Sequence, residues 1–112
     1  MKQKVQELSE WLNTHVNATI AIEKQELDDV DKVHFQLEAV DYRDAEDVLD
    51  DYLDSALILR GSGSTMNDGG ESVPLPQASY EIAVSGLELN AKNDNKLEIK
   101  TDRATYVLSI LV

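Results

Sequence analysis

Six carboxylates crowd the stretch DAEDVLDDYLDS, residues 44–55: Asp44, Glu46, Asp47, Asp50, Asp51 and Asp54, with no Lys or Arg among them. Carboxylate oxygens are the ligands that Ca²⁺ and Mg²⁺ prefer, so cation binding is the first chemistry to weigh. Spacing rules against it. An EF-hand loop needs acids or Asn at positions 1, 3 and 5, Gly at 6 and Glu at 12, and residues 28–54 contain no Gly. The smaller groups Asp28, Asp29, Asp31 and Asn67, Asp68, Glu71 read as solvated turns. No metal site is assigned.

Catalytic constellations fare no better. The two histidines, His15 and His34, sit at the end of an expected helix and on the solvent side of an expected strand, and neither lies in a recognisable motif. Gly61-Ser62-Gly63 lacks the Gly-x-Ser-x-Gly spacing of a nucleophile elbow. A phosphate loop needs a Lys after its last Gly, and residues 61–79 hold none; a dinucleotide fingerprint needs Gly at position 66, which is Met. With no cysteine, thiol nucleophiles, thiolate metal sites and disulfides are excluded together. No catalytic residue and no cofactor is expected.

What the acidic run can do is meet a basic partner. As a helix it places Ala45, Val48, Leu49, Tyr52 and Leu53 on one face, with Asp44 as N-cap. The like-charge pairs Glu46/Asp50, Asp47/Asp51 and Asp50/Asp54 then cost about 0.2–0.5 kcal/mol each. Burying Val48, Leu49 and Leu53 contributes about 1.5–3 kcal/mol apiece, so packing outweighs repulsion. A competing reading makes 44–50 an acidic loop before a strand. Either way the plain role is a solvated outer face, and the functional one is docking on a basic protein surface, in its sharpest form by mimicry of nucleic acid.

The charge map agrees. The net charge is −12, and residues 23–54 hold thirteen acids against three bases, while residues 1–22 are balanced. Such a surface repels phosphate backbones and anionic lipid, so direct nucleic-acid and membrane binding are not expected. There is no apolar run of eighteen residues and no signal-peptide core at the N-terminus, which makes a cytoplasmic location the default expectation.

The elements that must position these residues follow from periodicity. Val5, Leu8, Leu12 and Val16 recur at helical spacing, predicting an amphipathic helix over 3–15. Alternation predicts strands near 18–23, 32–42, 55–60, 79–84, 87–91, 96–101 and 104–111, with the first two forming a hairpin. In 32–42 the expected inward set is Val33, Phe35, Leu37 and Ala39. The Gly- and Pro-rich residues 61–78 read as a mobile loop. The 112 residues suit one domain of α+β class: an N-terminal helix on a twisted, mostly antiparallel sheet of about six strands, its twist allowing it to curl toward a barrel.

The leading functional expectation is a non-enzymatic regulatory or accessory domain that acts through protein contact. The runner-up is a small-molecule-binding or enzymatic domain with a pocket inside the curled sheet, covered by the loop 61–79. The final strand TYVLSILV, apolar on both faces near its end, suggests either a homodimer contact or a strand central to its own sheet.

Overall fold

The computed structural model describes residues 3–43, 55–66 and 71–111. The acidic residues Asp44, Glu46, Asp47, Asp50, Asp51 and Asp54 lie outside this range, as does the helix expected at 45–53. The α+β class holds: one N-terminal helix packs on a mostly antiparallel sheet. Among the described residues the sheet has eight strands rather than about six.

Helix α1, Gln3–Asn13, buries Val5, Leu8, Trp11 and Leu12, one stripe of the helix surface. Leu8 and Leu12 are fully enclosed, worth about 1.5–3 kcal/mol each. After the helix, Asn17 takes a left-handed conformation (φ 76°), which Asn tolerates better than most residues. Its amide donates to the Leu37 carbonyl, and the chain enters the sheet.

The strands are β1 (Thr19–Glu26), β2 (Asp29–Arg43), β3 (Ala56–Met66), β4 (Ser72–Pro74), β5 (Ser79–Ala83), β6 (Glu88–Lys92), β7 (Lys96–Lys100) and β8 (Thr105–Leu111). Their spatial order is β4-β3-β2-β1-β8-β7-β6, with β5 also on β3. β4 and β5 share the edge of β3 away from β2, pairing with Ser64–Met66 and Ala56–Arg60 respectively. One edge of the sheet thus ends in β5 and the other in β6, yet only residues 84–87 join these two strands. So short a link between opposite edges requires the sheet to curl. It does so without closing into a barrel: the amide of Asp102 reaches the Ser85 carbonyl, but no ladder joins β5 to β6.

Irregularities decide which way side chains point. Between Leu37 and Ala39 the β2–β3 register shifts, leaving Glu38 as the extra residue of a β-bulge. The inward stripe therefore passes from Val33, Phe35 and Leu37 to Val40 and Tyr42, while Ala39 is exposed, contrary to simple alternation. Opposite the bulge stands Gly61 (φ 154°), where any Cβ would collide with the carbonyl oxygen of Gln36. At Gly63 a Cβ would lie 2.7 Å from the Phe35 ring and 2.9 Å from Leu75. These glycines serve close packing inside a strand, which is why β3 runs on to Met66 where composition suggests a loop.

Strand β8 lies between β1 and β7. Its two apolar faces thus belong to a strand paired on both sides in its own sheet. No helix among the described residues is long and apolar enough to cross a membrane.

Candidate ligand-binding cleft

The inward residues form rows across the sheet. Thr65, Val33, Ile22, Leu108 and Leu97 are successive cross-strand partners over five strands, and Val33, Ile22, Leu108 and Leu97 are buried. One row nearer the β1–β2 turn, Asp31, Lys24, Tyr106 and Ile99 are partners in the same way. On β1 and β2 the apolar stripe therefore gives way to a carboxylate and an ammonium, while Tyr106 and Ile99 in the same row stay buried. Helix α1 covers the other end: the indole of Trp11 donates to the carbonyl of Asn93 in the β6–β7 turn at 2.8 Å.

A cleft of about 500 Å³ opens at the uncovered end, lined by Val33, Leu75, Pro76 and Tyr80 as its apolar part and by Lys24, Asp31, Thr65, Gln77, Ser79 and Glu81 as its polar part. Its volume falls within the range of small-molecule pockets. The wall of residues 75–78 exists because β4 and β5 do not run continuously along β3. From Arg60 to Ser64 β3 takes four steps, while the opposing chain takes five from Ser79 back to Pro74, so one residue bulges out. The Leu75 amide donates to the Gly63 carbonyl at 2.8 Å and the Gly61 amide to the Ala78 carbonyl at 3.0 Å, anchoring the bulge at both ends.

Electrostatics at the cleft follow from burial and from the uneven charge. Tyr80, with its ring 6.3 Å from that of Phe35, has its hydroxyl pushed well above the ordinary tyrosine range by burial, with Tyr106 and the Asp31 carboxylate adding to the effect. Tyr106 is raised as well, by burial first and then by Glu26, with Arg103 opposing. The Lys24 ammonium lies 3.8 Å from Glu26 and 5.9 Å from the centroid of the Tyr106 ring. Glu81 is held by Arg43 at 2.8 Å. Asp31 enters no ion pair with any described residue.

Both histidines stand apart from this lining. His34 is exposed on the opposite face of β2, and the His15 ring meets Trp11 in a tilted contact, centroids 4.6 Å apart, just past the helix end. A second depression there, lined by Glu10, Trp11, Thr14, His15, Lys92 and Asp94, is mainly polar in its side chains. Among the described residues no three His, Cys, Asp or Glu side chains gather where they could hold a metal ion.

The pocket expected inside the sheet under residues 61–79 takes in Thr65, Leu75, Pro76, Gln77 and Ser79 of the lining, whereas Lys24, Asp31 and Glu81 were not anticipated. The signal was available in phase: Asp31 is two residues before Val33, and Lys24 two after Ile22, so each continues an inward apolar stripe.

A YmzB-like protein family model matches residues 1–111. The chain belongs to that family. It is 36% identical over 111 residues to a Bacillus subtilis (strain 168) protein named "Uncharacterized protein YmzB", covering 93% of this chain and 92% of the relative. No solved structure matches it.

Proposed function

We propose that this YmzB-like protein is a non-enzymatic binding domain whose cleft at the uncovered end of the curled sheet takes a small amphipathic ligand. The observation that carries this reading is the change of character along one sheet face, from the buried row containing Val33 to the row containing Asp31 and Lys24, at the floor of a 500 Å³ cleft. An apolar body can rest on Val33, Leu75 and Pro76 while its polar end meets the outer row. The lining holds no histidine, and its apolar floor beside a polar rim suits the holding of a small ligand. A fragment screen followed by amide NMR tests it. Binders should shift Val33, Thr65 and Leu75, and Thr65→Trp, which fills the cleft, should abolish those shifts; binders that ignore the substitution would place the ligand elsewhere.

A second reading, a regulatory protein docking on a basic protein surface, is favoured by the charge distribution. Besides the residues 44–54, the β1–β2 turn and the start of β2 expose Asp28, Asp29 and Asp31, with Leu27 91% exposed at the turn. Such docking is steered by long-range attraction, so complex formation should weaken steeply as salt rises. A native complex indifferent to salt and to Asp→Asn changes at 47, 50 and 51 would count against it.

A further inference from the structure

The charges around the cleft are not equivalent, and their pairing selects a ligand class. Lys24, the cross-strand partner of Asp31, makes its ion pair with Glu26 and lies over the Tyr106 ring. Glu81 is neutralised by Arg43. Among the described residues Asp31 is left as the lining carboxylate without an ion pair, in a cleft whose apolar part includes the Tyr80 side chain. Beyond the cleft, the net charge of −12 attracts cations and repels anions from any approach path.

We propose that the cleft selects small ammonium ligands with an apolar or aromatic body, and that Asp31 is the residue that reads their positive charge. This rests on the cleft being the binding site. The apolar body lies on Val33, Leu75 and Pro76, and the ammonium meets the Asp31 carboxylate at the mouth. An aromatic wall suits such a ligand, because ring faces attract cations as well as apolar groups. A carboxylate ligand of the same shape would meet the unpaired charge of Asp31, with the lining cation Lys24 already engaged by Glu26.

Three probes with a common phenyl body separate the possibilities: 2-phenylethylammonium, 2-phenylethanol and 3-phenylpropanoate. Each is titrated into the full chain while the Val33 and Leu75 resonances are followed, in the wild type and in Asp31→Asn. The expected order of affinity is ammonium, then alcohol, then carboxylate, with the ammonium about five-fold tighter than the alcohol, the scale of one partly exposed ion pair. Asp31→Asn should remove that advantage and leave the alcohol unchanged. Lys24→Met, which removes the competing internal cation, should keep or increase it. An ammonium advantage that survives Asp31→Asn would assign the preference to the overall field and overturn the role of Asp31. If the carboxylate binds as well as the ammonium while the alcohol still shifts Val33 and Leu75, the ligand class is wrong and the cleft stands. If none of the three moves those resonances, the cleft fails as a site, and the inference with it.

Discussion

Trp11 and Asn93, eighty-two residues apart, are joined by a 2.8 Å hydrogen bond from the indole N–H to the main-chain carbonyl. It ties helix α1 to the β6–β7 turn and so fixes which end of the curled sheet is covered. Replacing the indole by Phe keeps an aromatic ring and loses the donor, which should lower stability by about 1 kcal/mol. Trp11→Ala also empties part of the core and should cost about 3–5 kcal/mol. Urea denaturation checks both, as a lower midpoint at unchanged m-value for the Phe variant.

Gly61 faces the bulge at Glu38, with the Gln36 carbonyl where a side chain would begin. Gly61→Ala should therefore destabilise by about 2 kcal/mol or more, through displaced β2 backbone and lost ladder bonds. The same change at Ser62, whose side chain is exposed, should fall within about 0.5 kcal/mol. Equal effects at the two sites would show that the close approach is not there.

Leu27, in the two-residue turn between Glu26 and Asp29, has φ 55° and is 91% exposed. A left-handed conformation costs a branched residue about 1–2 kcal/mol, and Leu27 gains almost no burial in return. Leu27→Gly should raise stability by about 0.5–1 kcal/mol, the strain relief less the added freedom of the unfolded chain. A thermal melt that shows destabilisation instead would reveal packing by this side chain.

Alkaline pH should weaken the fold through Tyr80. Its hydroxyl titrates above the ordinary tyrosine value of 10.0 in the folded state because burial disfavours the phenolate. Below about pH 10 both states keep the proton and the group is neutral in its effect. Above it the unfolded chain releases the proton first, so stability falls as pH rises toward the folded-state value. Urea midpoints measured from pH 8 upward should decline less steeply in Tyr80→Phe than in the wild type.

Much of the fold was legible where one period dominates. Val5, Leu8 and Leu12 announced the helix, and Ile20 with Ile22 and Val33 with Phe35 announced the inner faces of β1 and β2. Alternation failed at Ala39 because a single inserted residue reverses every side chain beyond it, and no local composition marks Glu38 as that residue. Gly61 and Gly63 read as loop because glycine is the usual turn residue; only the partner strand shows that Gln36 and Phe35 need the missing Cβ. The cleft was only partly legible for a related reason. Its floor and its wall, Val33 and Leu75, are brought together by the pairing of β2 with β3 and by the anchor of Leu75 on Gly63, neither of which the linear pattern states.

Ligands are expected to enter the cleft beside Tyr80. Fluorotyrosine labelling tests it most directly, because Tyr80 lines the cleft and Tyr106 backs its outer row, while Tyr42 lies near the far end of β2. With resonances assigned by single Tyr→Phe variants, adding 2-phenylethylammonium or 2-phenylethanol should shift the Tyr80 signal most, Tyr106 less and Tyr42 not at all. Saturable shifts at Tyr42 with Tyr80 unmoved, or no saturable shift at any tyrosine, would contradict the account.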